Sequence, residues 1–233
     1  MWLPGHLALS FLLCFPLIVM VKRERLLAFY YVAFFALFPD FIHIGELRIV
    51  SHSIAGLTAM LLITFVILFI LFRPRPIMYI IGAVAAIGHL LGDLYIGSIH
   101  PFWPFDDTWY HFHQFNTTFD IITEVMLSSI VLILIIVLFG PLRLYVSRRQ
   151  LDRSENKNLY LFASLVMIMT LLQGGYYAYT VYLGDGDFLQ NLLLFFFAIP
   201  LLYTVSILLP MTFPRQDACN SKLSLSSSGM RKL

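Results

Sequence analysis

Residues 77–99 read IMYIIGAVAAIGHLLGDLYIGSI, an apolar run with one imidazole, His89, and one carboxylate, Asp93. The run exceeds the ~20 residues that an α-helix needs to cross about 30 Å of hydrocarbon. The preceding segment, Arg73-Pro-Arg-Pro76, cannot continue a helix and is costly to bury in lipid. This stretch therefore predicts a transmembrane helix with two polar side chains inside the membrane.

The rest of the chain repeats this pattern. Of its 233 residues, 60% are hydrophobic and 12% are charged, whereas soluble domains carry about 25% charged residues. We predict an all-α polytopic transmembrane bundle over residues 1–212, with a disordered, polar cytoplasmic tail at 213–233. Basic residues follow the first apolar run instead of preceding it, so we expect a retained span and not a cleaved signal peptide. Hydropathy indicates seven spans, at roughly 4–21, 26–45, 53–72, 77–99, 120–142, 159–183 and 188–210.

The positions of the basic residues predict the orientation. Fourteen of the 15 Lys and Arg residues lie in one set of alternating segments, and the other set holds only Arg48. Cationic loops stay in the cytoplasm, so the N-terminus is predicted outside and the C-terminus inside. We expect a multi-pass protein of the cell (plasma or inner) membrane. No nucleic-acid-binding motif is present in the sequence, and nothing in it indicates an oligomeric state.

Histidines are confined to the first half of the chain, between His6 and His113, and the predicted topology places them near the extracytoplasmic side. His89 and Asp93 are spaced i, i+4 on one helical face, and Asp40 and His43 are spaced i, i+3. An ionised Asp in hydrocarbon costs on the order of 3 kcal/mol, so both pairs should face the bundle interior. Nitrogen and oxygen donors in such pairs suit a divalent metal ion, with zinc preferred.

Simpler interpretations of the same residues stay open. An intramembrane His can serve only as a hydrogen-bond partner between helices. Asp40 can cap a helix broken at Pro39, and Asp120 with Glu124 can mark the start of a helix. The aromatic residues of 102–112 form, in this interpretation, a belt at the membrane surface.

Four motifs in order resemble the YdjM family of LexA-binding, inner-membrane-associated hydrolases, also described as membrane-bound metal-dependent hydrolases. The resemblance covers roughly residues 5–105. Ile42 stands where the family has a second acid, and Tyr95-Ile96 stands near the place of its Thr-Pro. The motifs are Gly5-His6-Leu-Ala8, Pro39-Asp40-Phe-Ile-His43, Arg48-Ile-Val-Ser-His52-Ser53, and Gly88-His89-Leu-Leu-Gly-Asp93 followed by His100-Pro-Phe-Trp-Pro104-Phe105.

The resemblance implies metal-dependent hydrolysis at the extracytoplasmic end of the bundle. From the positions of the residues we expect Asp40, His52, His89 and Asp93 to be the ligands, followed by His6 and His43, and Arg48 to orient an anionic group of a lipid or lipid-linked substrate. The alternative is a non-enzymatic membrane protein, either a metal or proton transporter or a structural or interaction protein. A transporter needs polar residues that continue to the cytoplasmic side, where the predicted spans have few.

Overall fold

A computed structural model describes residues 1–42, 47–112, 117–140, 151, 153–184 and 186–212. Within these residues the regular structure is helical, and one antiparallel bridge joins Ile99 to Tyr110. The predicted tail at 213–233 lies outside the described residues. The α-helices are α1 (Leu3–Met20), α2 (Arg25–Leu37), α3 (Leu47–Ser51), α4 (Ile54–Leu71), α5 (Pro76–Tyr95), α6 (Thr117–Leu134), α7 (Arg153–Leu183) and α8 (Phe188–Thr212), with a 3-10 helix at Phe38–Ile42 and a π-helical segment at Ile135–Phe139.

Six of these helices are long and apolar enough to cross a membrane: α1, α4, α5, α6, α7 and α8. The chain is therefore an all-α bundle that fits a multi-pass membrane protein, as predicted. The predicted span 26–45 takes a different form, since α2 has only 13 residues and continues into the 3-10 helix. The count of seven spans and the orientation stay predictions.

The short helix α2 lies at the centre of the bundle. Its side chains are buried along most of its length against α1, α5 and α7. Close approach of α2 to α5 depends on Gly82, because a Cβ there would lie 2.8 Å from the ring of the fully buried Phe35. Small residues at helix contacts allow such close packing in membrane proteins. The large aromatic face of α2 thus packs directly onto the backbone of α5.

Each end of the bundle has its own set of polar contacts. At one end, Arg75 at the start of α5 pairs with Glu24 at 3.2 Å, and Arg23 pairs with Glu155 at 3.7 Å. At the other end, the α-amino group of Met1 lies 3.0 Å from Asp93, near the end of α5. Helices α1 and α5 are therefore antiparallel. The His and Asp residues gather at the end opposite these basic residues.

Candidate metal centre

The predicted pair on α5 is buried and in contact. Nε2 of His89 lies 3.2 Å from Oδ2 of Asp93, and the two side chains are 0% and 8% exposed. Their i, i+4 spacing places both on the face of α5 that packs against α1 and α2. The structure therefore buries this pair inside the bundle, as the cost of exposing a carboxylate to lipid requires.

Asp40 and His52 complete a cluster of four. Nε2 of His52 lies 3.2 Å from Asp93 Oδ2, 3.4 Å from Asp40 Oδ1 and 3.2 Å from His89 Nε2. His89 Nε2 is 3.7 Å from Asp40 Oδ1. Asp40 belongs to the 3-10 helix after α2, and His52 lies between α3 and α4. Three separate parts of the chain thus bring together the four residues that the sequence singled out.

The contacts of Nδ1 determine how the imidazole rings of His52 and His89 are oriented. Nδ1 of His89 is 2.6 Å from the carbonyl oxygen of Ala36, and Nδ1 of His52 is 3.0 Å from that of Arg48. A carbonyl oxygen only accepts hydrogen bonds, so each Nδ1 that bonds its carbonyl carries a proton and donates it, and Nδ1 of His52 also lies 2.9 Å from the Ser51 hydroxyl. Each Nε2 of the neutral rings therefore presents a lone pair to the centre. This is the arrangement that metal-binding histidines adopt when a backbone carbonyl holds the ring.

A local break in α2 makes the carbonyl of Ala36 available. In a 3-10 turn this carbonyl would accept the N–H of the residue three positions later. That residue is Pro39, which has no N–H. The same proline ends α2 and brings Asp40 toward His52. The carbonyl that holds His89 thus belongs to the last turn of α2, where carbonyl oxygens have no partner within the helix.

The donor set fits a metal ion. Four donors held in a tetrahedron at ~2.0–2.2 Å from an ion lie about 3.3–3.6 Å from one another. Five of the six distances among His52, His89, Asp40 and Asp93, all except that between the two carboxylates, span 3.2–3.7 Å. Two groups of residues have ligand atoms close enough to share an ion, Asp40 with His52 and His89, and His6 with His89 and Asp93. The buried His/Asp cluster could therefore hold a metal.

Electrostatics point in the same direction. Burial lowers the pKa of His52, but hydrogen bonds and charge from Asp40 and Asp93 outweigh it and raise that pKa to about 9. The carboxylates of Asp40 and Asp93 therefore favour a positive charge between the two imidazole rings. A proton on His52 or a bound cation would supply it.

His6 adds a further imidazole at the edge of the cluster. Its Nε2 lies 3.2 Å from Asp93 Oδ1, and its ring stacks on that of His89 with centroids 3.8 Å apart. The α-amino group of Met1 contacts the same Oδ1. Asp93 thus directs Oδ2 to His52 and His89, and Oδ1 to His6 and Met1. Since His89 Nε2 has one lone pair, it can bind only one ion at a time.

Other predicted residues lie away from the four donors or outside the described residues. The Arg48 side chain is exposed, while its carbonyl orients His52. The ring of His100 contacts that of Trp109 at a tilt of 48°, with centroids 3.8 Å apart, and the exposed His111 lies in the same loop. His43 and His113 lie outside the described residues.

Two residues that contribute polar contacts at or beside the cluster were not predicted from the sequence. Gln173 of α7 donates from Nε2 to Asp40 Oδ2 at 3.0 Å. Glu124 is 1% exposed and accepts a hydrogen bond from the backbone N–H of Trp2 at 2.8 Å, so it does more than mark a helix start. The signals that could have indicated these two residues are an amide side chain inside an apolar span, for Gln173, and a carboxylate two turns after the start of an apolar helix, for Glu124.

Comparison of the chain with protein-family models, curated proteins and solved structures finds no match. The resemblance to the YdjM family rests on the four motifs alone. The geometry of the site, and not a relative, has to support any proposal about function.

Proposed function

We propose that this cluster binds a divalent metal ion, with zinc preferred, and that the protein is a membrane-embedded metal-dependent hydrolase of a lipid or lipid-linked substrate. The supporting observation is the 3.2 Å separation of the Nε2 atoms of His52 and His89. Both rings use Nδ1 as a donor elsewhere, so in their neutral form two lone pairs face each other beside two carboxylates, and either a proton on His52 or a bound cation would lie between them. A cation between them removes the repulsion.

Each residue has a distinct role in this proposal. His52 and His89 bind through Nε2, while Asp40 and Asp93 bind and offset the charge of the ion. A divalent ion supplies Lewis-acid chemistry and lowers the pKa of water towards ~7. Asp40 is the most exposed of the four side chains at 11%, so water and substrate would approach from its side. The exposed Arg48 would hold an anionic group of the substrate with its guanidinium fork.

Support for hydrolysis comes from the family resemblance, and support for a lipid substrate comes from the depth of the site. Asp93 and His89 lie in the last two turns of α5, one of the helices long enough to cross a membrane. A substrate that reaches these residues has to enter the apolar part of the bundle. We assign the site to the extracytoplasmic side, because the basic residues lie at the opposite end.

One observation favours the non-enzymatic alternative. Asp40, His52, His89 and Asp93 offer four donors, which is the number that a closed structural zinc site uses, whereas catalytic sites keep a position open. In that case the ion would join α5, the 3-10 helix and the segment before α4 without chemistry. Transport is less well supported, since the buried apolar residues of α1, α2 and α5 separate the cluster from the Glu24–Arg75 pair.

Metal analysis of the detergent-purified protein tests the proposal. We expect about one ion per chain in the wild type, much less in His89→Ala, and a wild-type content in His111→Ala, which removes an exposed imidazole. A wild type that carries no metal and gains none from Zn²⁺, Mn²⁺ or Mg²⁺ would overturn metal binding. Stoichiometric metal without turnover of phosphoester and acyl-ester lipids would favour the structural alternative.

A further inference from the structure

A second feature lies on a different face of α1 from the metal centre. Helix α1 directs Ser10 and Cys14 towards the carbonyl oxygens of α5, at 2.9 and 3.5 Å. Residues on a neighbouring face of α1 line a cavity of about 300 Å³ that also involves α2, α6, α7 and α8. The cavity and the cluster thus share one helix but are separate sites.

Apolar side chains line most of this cavity. The described lining includes four hydroxyl-bearing residues and no charged one. Two of the hydroxyls are paired, since Tyr30 donates to Thr204 Oγ1 at 3.0 Å. The Ser128 hydroxyl is buried and has no hydrogen-bond partner among the described residues. Cavities of this composition do not hold water well, because water needs two to four polar partners.

Irregular helices flank the opening of the cavity. On α6 the lining runs from Ser128 into the π-helical segment at Ile135, and on α8 it includes Pro200. A proline inside a helix removes one backbone hydrogen bond and bends the helix, and a π segment also distorts its helix. Ile136 lines the cavity and is 56% exposed on the outside of the bundle. The cavity therefore reaches the outer surface of the bundle at Ile136.

We propose that this cavity binds the hydrocarbon chain of a membrane lipid, which enters at Ile136. This residue belongs to a helical stretch long enough to cross a membrane, so the opening faces lipid tails. A volume of about 300 Å³ lies at the lower end of ligand pockets. A helix from a second copy is about 10 Å wide, which is too bulky for such a space. A single flexible chain matches both the size and the chemistry.

Resting on the proposed function, this inference narrows the substrate to a lipid with a long aliphatic chain. Ser128 lies one helical turn from Glu124, which binds the backbone of Trp2, and the neighbouring Met1 contacts Asp93. The lining of the cavity begins at Pro4, in the first turn of α1, so one end of a bound chain would lie towards the end of the bundle that carries the His/Asp cluster. Binding of the chain itself does not require a metal.

Photo-crosslinking of the full chain in phosphatidylcholine nanodiscs tests this inference. A phospholipid with a diazirine in its acyl chain should label cavity residues such as Phe196 and Ile199 above the exposed residues of α4. Ala33→Trp fills the cavity and should reduce this labelling to the α4 level. Ile136→Trp should do the same at the opening, where an exposed position tolerates a large side chain. Ala59→Trp, on the exposed face of α4, is the control and should leave labelling unchanged.

The results separate this inference from the proposed function. Labelling should persist in His89→Ala, and Ala33→Trp should keep the metal content of the wild type. Labelling no stronger than on α4, or unaffected by both blocking variants, would overturn chain binding. Crosslinks from these residues to a second copy of the chain would instead identify a protein interface and also overturn it.

Discussion

Gln173 on α7 donates a hydrogen bond to Asp40 at 3.0 Å, although 133 positions separate the two residues in the chain. The amide donates to Oδ2 of Asp40, and the other carboxylate oxygen, Oδ1, faces His52 and His89. A glutamine inside a membrane-spanning helix thus orients one of the four donors. The contact also joins α7 to the 3-10 helix that carries Asp40.

We expect Gln173→Leu to weaken metal binding by roughly 10–100-fold, the usual effect of losing a residue that orients a ligand. The apparent affinity can be measured by competition with a chromogenic zinc chelator. Gln190→Leu is the control, because the side-chain amide of Gln190 bonds the backbone of Asp187 near the start of α8 and not a residue of the cluster. Equal affinities for wild type and Gln173→Leu would show that Asp40 does not depend on this amide.

Asp93→Asn should lose most of its bound metal while the bundle still assembles. The substitution is nearly isosteric but removes a negative charge that offsets that of the ion, and helix packing does not depend on the metal. Metal content by mass spectrometry and monodispersity in detergent would be measured together. Asp106→Asn, whose carboxylate caps Thr108 in the loop, serves as control. Normal metal content with reduced thermal stability would assign Asp93 a structural role.

Gly82→Ala should destabilise the protein, whereas Gly175→Ala should not. The new methyl at position 82 would meet the buried ring of Phe35 at 2.8 Å, and such overpacking costs about 1–3 kcal/mol. At position 175 nothing lies within 4 Å of the added carbon, so the helix gains roughly 0.5–1 kcal/mol from the better residue. Melting temperatures in detergent should shift in opposite directions. A stable Gly82→Ala would show that α2 and α5 are further apart.

The orientation predicts that Thr108 is reached from outside the cell and that Arg73 is not. In a background without Cys14 and Cys219, Thr108→Cys should react with a membrane-impermeant thiol reagent in intact cells. Arg73→Cys should react only after the membrane is permeabilised. The opposite pattern would place the His/Asp cluster on the cytoplasmic side and reverse the proposed topology.

The sequence by itself determined the class of fold and most of the cluster. Long apolar runs allow only helices at membrane depth, because every backbone polar group has to be satisfied within its own segment. The cost of an exposed charge in lipid required Asp93 to face inwards, and helical spacing put His89 on the same face. These inferences use local pattern alone. Six of the seven predicted spans correspond to helices of sufficient length.

Only the tertiary structure decided how the ligands meet. No pattern in the sequence shows that His52 approaches His89 within 3.2 Å, that Gln173 reaches Asp40, or that Glu124 lies beneath Trp2. Nor does hydropathy indicate that α2 is a short helix at the centre of the bundle, since apolar residues suit a protein interior and a lipid surface equally well. Contacts between helices depend on which faces pack together. The sequence of an apolar face does not indicate which other helix it will contact.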